Sequence, residues 1–175
     1  MYEGKLVRLR ASRVEDAETA AEWLNDLETA RLLSVHAPQP RALDEVRARL
    51  QTPDKNHFAV ETLDGRLIGT CSAFEIDARD RRCMIGWKIG ARGMRGKGYG
   101  SDMIRVFLRY LFHERNLMRV DLGVFAFNES AVHLYEKLGF VREGTLRDDI
   151  LSRGRYWDTY LYSMLRREYD ALYGS

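Results

Sequence analysis

Charged and apolar positions alternate over residues 5–10, where Leu6, Val7 and Leu9 stand among Lys5, Arg8 and Arg10, a period-2 pattern that predicts an edge-like first strand. Ser12-Arg13-Val14-Glu15 has the spacing of a capping box. A helix to about Asn25 follows, with Ala17, Ala20, Ala21 and Leu24 on one face. Ala37-Pro38-Gln39-Pro40 predicts a turn or loop, and residues 43–50 a second helix with Val46 and Leu50 on its apolar side. The period then shortens. Residues 57–61 predict a strand, Leu63-Asp64-Gly65-Arg66 a hairpin turn, and residues 67–76 the return strand, weakened at its start by Gly69. Ala78-Arg79-Asp80-Arg81 is a second turn, and residues 83–89 the next strand, closed by Gly90.

Beyond a glycine-rich stretch, residues 101–114 carry Ile104, Phe107, Leu108, Leu111 and Phe112 at helical spacing. Residues 119–125 predict a strand, 130–138 a helix with Gly139 at its C-cap, 141–146 and 157–165 two more strands around a loop holding Arg153-Gly154-Arg155, and 165–173 a short closing helix. Helices interleaved with a mostly antiparallel meander imply an α+β (mixed α/β) domain. With 175 residues and no repeat, linker or low-complexity tract, one domain over 1–175 is expected.

Composition narrows the function classes. A 45% apolar share suits a packed core, and no apolar run reaches the roughly 20 residues of a membrane span. The first eight residues lack the apolar stretch of a signal peptide, so a cytoplasmic protein is expected. A net charge of +2 from 28 basic and 26 acidic residues argues against a nucleic-acid binder, whose footprint is a basic excess. Arg79, Arg81, Arg82 and Arg95 read as solvated surface charge. Cys71 and Cys83 sit in strand-like segments as buried, reduced thiols; His36, His57, His113 and His133 share no metal spacing, so no metal is expected.

The most informative stretch is Arg92-Gly93-Met94-Arg95-Gly96-Lys97-Gly98-Tyr99-Gly100, between a strand and a long helix. Its glycines let the backbone turn tightly and approach a ligand, and the helix behind them presents free N–H groups and a positive dipole end. Arg95 and Lys97 add charge, so the implied ligand carries a pyrophosphate or similar anion. A P-loop would need Ser or Thr after Lys97 and a glycine at Ala91. The dinucleotide fingerprint fails because Ser101 stands where its third glycine belongs.

Arg95, Gly98 and Gly100 do fill Arg/Gln-x-x-Gly-x-Gly/Ala, which resembles the coenzyme A pyrophosphate loop of the GNAT N-acetyltransferases. Asn128, Ala131, Tyr135, Gly139 and Phe140 are similar to that family's second signature, Asn-x-x-Ala-x-x-x-Tyr-x-x-x-Gly-Phe. Glu143-Gly144-Thr145-Leu146-Arg147, Gly154-Arg155-Tyr156-Trp157-Asp158 and Trp23-Leu24-Asn25-Asp26 resemble the branch holding ribosomal-protein N-terminal (RimJ/RimL) and spermidine acetyltransferases. The resemblance implies a central twisted, mostly antiparallel sheet flanked by helices, and acetyl-CoA as cosubstrate. It implies that Arg95, Gly96, Lys97, Gly98, Tyr99 and Gly100 hold the pyrophosphate. Trp87, Lys88 and Ile89 would lend backbone N–H groups to the pantetheine and thioester carbonyl, and Asn128 a side-chain amide to the pantetheine arm. Homodimerisation through the C-terminal strands is implied in the same way.

Acetyl transfer needs a neutral amine. An alkyl ammonium near pKa 10.4 is neutral in about one part in a few thousand at pH 7, a cost of roughly 4–5 kcal/mol that a carboxylate base removes. Glu75 is the first candidate, with an ordinary alternative as a solvated strand-end carboxylate, and Asp77 the fallback. Backbone donors at Trp87, Lys88 and Ile89 would stabilise the developing oxyanion. Tyr135 matches the family's general acid; proton transfer from a phenol to a thiolate is uphill by roughly 2 kcal/mol, so the site must close that gap. The expected acceptor is a peptide amino terminus, with a polyamine or other small amine second; Asp26, Glu28, Asp148 and Asp149 could draw in a cation. A noncatalytic acyl-CoA-binding module is the alternative of another class.

Overall fold

The computed structural model describes residues 2–33, 38–52 and 54–174; His36 and the start of the 37–40 turn lie outside them. The elements run β1 (Tyr2–Glu3), β2 (Val7–Ala11), α1 (Ala17–Asn25), α2 (Leu27–Leu33), α3 (Leu43–Gln51), β3 (His57–Thr62), β4 (Leu67–Asp77), β5 (Arg82–Ile89), α4 (Tyr99–Arg109), β6 (Arg119–Phe125), α5 (Glu129–Lys137), β7 (Val141–Ser152), β8 (Arg155–Leu165) and α6 (Arg166–Tyr173). The strands form one sheet in the order β1-β2-β3-β4-β5-β6-β8-β7. Ladders β1–β2, β2–β3, β3–β4, β6–β8 and β7–β8 are antiparallel and β5–β6 is parallel, giving the mixed α+β class the pattern predicted. By contacts the chain groups into two compact units, Met1–Ser72 with Trp87–Phe107, and Ala73–Gly86 with Leu108–Ser175.

In the first unit, Val7, Leu9, Val60, Ile68, Met103 and Ile104 are almost fully buried, and Phe58 meets Phe107 edge-on at 5.8 Å. Helices α1 and α3 pack through Ala17, Ala21 and Val46. The predicted capping box is corrected by one residue. Asp16, and not Glu15, reaches back to the Arg13 amide at 2.8 Å, while the Ser12 hydroxyl pairs with His57 Nδ1 at 2.9 Å. The cause is Arg10, which holds Asp16 through two 2.8 Å hydrogen bonds and Glu61 through one of 2.6 Å, so the carboxylate that fits the buried guanidinium also caps the turn.

The helix α4 begins at Tyr99, two residues earlier than the apolar spacing predicts, and continues as a π-turn over Tyr110–Glu114. Asp102 in its first turn is buried and accepts the amides of Lys5, Leu6 and Val7 at 3.1, 2.7 and 3.1 Å. Gly4 has no room for a side chain, since a Cβ there would lie 2.4 Å from Asp102 Oδ2.

In the second unit, β6 pairs with β8 from Arg119↔Leu165 to Phe125↔Thr159. Strand β7 runs to Ser152, six residues past its predicted end, because Asp148 takes a positive φ of 50° and its amide donates to Asp158 Oδ1 at 3.0 Å. This bulge carries the ladder past a polar stretch that reads as a loop. Arg153 and Gly154, at φ 53° and 77°, make the two-residue turn of the hairpin. Cys71 and Cys83 are free and buried, and burial pushes the Cys83 thiol up to about 12. No helix among the described residues is long and apolar enough to cross a membrane.

Candidate active site

The glycine-rich stretch is a short 3₁₀ turn, Arg92–Met94, followed by a left-handed passage into α4. Gly96 and Gly98 take φ of 73° and 90°, which side chains rarely adopt, and Gly93 has no positive φ. Gly100 lies inside the first turn of α4. The first intrahelical bond runs from the Asp102 amide to the Gly98 carbonyl (3.0 Å), so the amides of Tyr99, Gly100 and Ser101 precede the helix's own hydrogen bonding. Exposed Lys97 stands beside them. Arg95 departs from the free cation expected here: its Nε donates to the Ile89 carbonyl at 3.0 Å and its Nη2 to the fully buried Thr29 hydroxyl at 2.9 Å. The neighbouring Arg92 grips Asp26, which in turn accepts the Thr29 amide at 2.9 Å and so caps α2. Asp26 is thus held by an arginine of the loop and is not a free acid for a cationic acceptor. Its hydrogen bonds to Arg92 and Thr29 keep that carboxyl well below the usual range.

Within β5, Trp87 and Lys88 are half-buried and Ile89 is buried. A Cβ on Gly69 would lie 2.1 Å from the Lys88 carbonyl oxygen, so the glycine that weakens β4 is what lets the backbones come together. The parallel β5–β6 ladder holds three pairs, Arg82↔Arg119, Cys83↔Val120 and Met84↔Asp121, and ends there.

In the second unit, Asn128 caps α5: its Oδ1 accepts the Ala131 amide at 3.3 Å and the Ser130 hydroxyl at 3.1 Å. That geometry leaves the Nδ2 hydrogens pointing away from the cap as donors, the group that the resemblance assigns to the pantetheine arm. Tyr135 is 6% exposed, its ring edge-on to Phe140 at 5.5 Å and tilted against Tyr162 at 6.1 Å. The Tyr162 hydroxyl donates to Glu136 at 2.9 Å, and burial followed by that carboxylate raises its pKa. The exposed His133 stands 3.9 Å from Glu136, while His113 packs edge-on to Tyr169 at 5.4 Å.

Glu75 and Asp77 line a groove of about 710 Å³ with Arg82, Arg119, Asp121 and Glu143. Glu75 takes φ 49° inside β4, a conformation costing on the order of 1 kcal/mol for a non-glycine residue. The alternation of faces breaks there, leaving both Phe74 and Glu75 exposed. Asp77 Oδ1 accepts the Arg79 and Asp80 amides at 2.9 Å each, which commits it to the turn, whereas Glu75 enters no ion pair among the described residues. Arg119 bridges Asp121 and Glu143, each at 2.5 Å.

The sequence profile of the GNAT acetyltransferase domain matches residues 7–141. The chain belongs to the GNAT acetyltransferases. It is 30% identical over 176 residues to the SPbeta prophage-derived uncharacterized N-acetyltransferase YokL of Bacillus subtilis, covering 99% of this chain and 97% of that one. It is 31% identical to YdaF of the same organism, named as a candidate ribosomal N-acetyltransferase, over 94% of this chain and 93% of that protein. The spermidine N-acetyltransferase of Vibrio cholerae, solved in complex with CoA and spermine, superposes with a TM-score of 0.84 at 30% identity, covering 93% of this chain and 97% of that one. These relatives support an amine acetyltransferase, and thus an enzyme over a noncatalytic module.

Two polar features of this GNAT chain escape a reading by motif. Asp102 looks like an ordinary first-turn acid, and only its contacts across some 95 residues show it clamping the N-terminal segment to the start of α4. Thr159, opposite Phe125, has a buried hydroxyl without a hydrogen-bond partner among the described residues, in a segment that the sequence pattern predicts only as a strand.

Proposed function

We propose that this GNAT domain, spanning residues 1–175, transfers the acetyl group of acetyl-CoA directly to a primary amine in a ternary complex, with a peptide amino terminus as acceptor. The observation that carries the proposal is the left-handed glycine pair, Gly96 and Gly98, immediately ahead of the open amides of α4. That arrangement fits a pyrophosphate: a turn that only the left-handed glycines adopt without strain leads into the first amides of α4, and the helix dipole favours the anion. Arg95 shapes the loop and Lys97 adds charge. Trp87, Lys88 and Ile89 supply main-chain donors along the pantetheine, and Asn128 its Nδ2 hydrogens.

Glu75 takes the proton of the incoming ammonium, directly or through water, since its exposed carboxylate faces a groove and enters no ion pair among the described residues. Asp77 is the weaker candidate because its Oδ1 is occupied. Tyr135 returns a proton to the departing thiolate; its buried setting orients the hydroxyl and excludes bulk water. A polyamine acceptor is the second reading, supported by the spermine-bound relative of similar fold.

The test is thiol release from acetyl-CoA with a panel of peptides, polyamines, amino acids, amino sugars and aminoglycosides, alongside calorimetric binding of acetyl-CoA. Selective release with peptides supports the first reading, and release with spermidine alone replaces it by the second. Tyr135→Phe is expected to leave acetyl-CoA affinity within about twofold and to lower turnover at least tenfold; unchanged turnover removes Tyr135 from the mechanism.

A further inference from the structure

Among the described residues, one buried side-chain polar atom has no hydrogen-bond partner: the hydroxyl of Thr159 in β8, a residue 6% exposed. An unpaired buried hydroxyl lowers stability, and a valine of nearly the same shape would avoid that cost. The neighbours of Thr159 on its face of the sheet are apolar. Phe125 stands opposite it on β6 and Leu146 on β7, while Trp157 and Leu161 lie two residues away along β8. The register also pairs Gly123 with Leu161 and Asp121 with Ser163, so alternation puts Asp121, Gly123 and Phe125 on the face of Leu161 and Thr159. Asp121 and Leu161 line the groove that holds Glu75. Thr159 lies one strand repeat, about 7 Å, beyond Leu161.

Gly123 leaves this end of the groove open. It is exposed in mid-strand, and a Cβ on it would meet only Thr159 Cγ2 within 4 Å among the described residues, at 3.4 Å. A glycine inside a strand weakens it and leaves room for another group to approach. The ladder from β5 reaches β6 only as far as Asp121, so beside Gly123 the strand is paired on the β8 side alone. The Thr159 methyl faces that room, and one rotamer step about χ1 brings the hydroxyl to the methyl's place. We infer that the Thr159 hydroxyl makes this turn when the acceptor binds, and hydrogen-bonds one of its backbone amides over Gly123. The inference rests on the acetyltransferase function proposed above, since the groove is the one whose Glu75 takes the amine's proton there. A hydroxyl pairs with either half of an amide, accepting from its N–H or donating to its C=O. The apolar ring around Thr159 makes a second ammonium or a carboxylate costly to seat. The acceptor is therefore a peptide and not a polyamine, and Thr159 is the residue that selects it.

The experiment labels the threonine methyl groups of the full-length protein with carbon-13, saturates it with CoA, and titrates alanyl-alanyl-alanine amide and, separately, butylamine. A saturable shift of the Thr159 methyl with the tripeptide amide and none with butylamine is expected; no shift with the tripeptide, or equal shifts with both, overturns the inference. Thr159→Val is expected to lower kcat/KM for the tripeptide amide by about tenfold or more and to raise the thermal midpoint. The same variant keeps kcat/KM for butylamine and the acetyl-CoA affinity within about twofold, and Thr159→Ser keeps the tripeptide rate within about threefold. A valine variant that retains the tripeptide kcat/KM, or whose thermal midpoint falls because the hydroxyl had a partner inside the fold, overturns the inference. An equal loss with spermidine puts an ammonium where the inference puts an amide and overturns it as well. The two proposals fail separately. Turnover without the methyl shift leaves the acetyltransferase standing and removes the seat, and a methyl shift without turnover of any amine does the reverse.

Discussion

Alanine at Gly93, Gly96 and Gly98 separates what the glycine loop needs from what it merely contains. The three positions differ in a way the coordinates specify. Gly93 has no positive φ and open space around it; Gly96 has φ 73° and open space; Gly98 has φ 90°, and a Cβ there would touch Leu6 Cδ1 at 3.4 Å. A left-handed conformation costs an alanine about 1–2 kcal/mol more than a glycine. The contact with Leu6 adds little, because a methyl at the tip of an exposed leucine gives way. The strain has two places to appear. If the loop holds its shape without ligand, Gly96→Ala and Gly98→Ala lower folding stability by that amount. If the loop relaxes, stability is spared and acetyl-CoA affinity falls about 5–30-fold, the same energy read through binding. Calorimetric titration with acetyl-CoA and urea unfolding on each variant give both terms, whose sum is expected near 1–2 kcal/mol for Gly96 and Gly98 and near zero for Gly93. Equal losses at all three positions, or a sum near zero at Gly98, would refute the claim that the left-handed pair shapes the cosubstrate seat.

Two further predictions concern the frame around the loop. Asp102→Ala leaves three amides without their charged acceptor and is expected to cost about 3–5 kcal/mol, with Asp102→Asn costing roughly half; hydrogen exchange at Lys5, Leu6 and Val7 should accelerate in step, and unchanged protection there would show that the clamp is not what holds the segment. Burial pushes the Asp16 carboxyl up, but hydrogen bonds from Arg10 and the Arg13 amide prevail and its pKa is lowered. Its stabilisation is therefore complete above the usual carboxylate range and is lost as pH falls below about 4; the urea midpoint should drop between pH 4 and 2, and Asp16→Asn should flatten that drop.

How much of this was legible in the sequence follows from the range of each interaction. The strands from β3 to β6 and helices α1, α3 and α5 were readable because their apolar spacing is local, and Gly96 and Gly98 because residue type itself states which φ the chain must adopt. The helix α2 was not read: seven residues are too few for a 3.6-residue period to declare itself, and its stability comes from the Asp26 cap and the arginines that reach it. The shifted capping box has a similar origin, since Ser12 and Asp16 both satisfy the local rule and a buried Arg10 decides between them. Glu75 was legible as a carboxylate near a strand end, whereas its left-handed backbone was not, because residue type does not demand that φ of a glutamate.

Arg95 shows why matching a motif position does not fix the role of its side chain. Three of its five N–H donors remain after Ile89 and Thr29 have taken one each, so the guanidinium can still face an anion, but from a fixed position. Burial, then Arg92, lowers its pKa, while Asp26 opposes the shift. Its first task here is to fasten the loop to the end of β5 and to the first turn of α2, with Arg92 fastening the same turn through Asp26. The loop proposed to receive a pyrophosphate and the helix after α1 are therefore joined by two arginines. An anion that uses the three remaining donors leaves both bonds in place, whereas one that pulls Arg95 off Thr29 has to break the bond that fastens α2. Only in the second case are binding at the loop and the position of α2 thermodynamically linked.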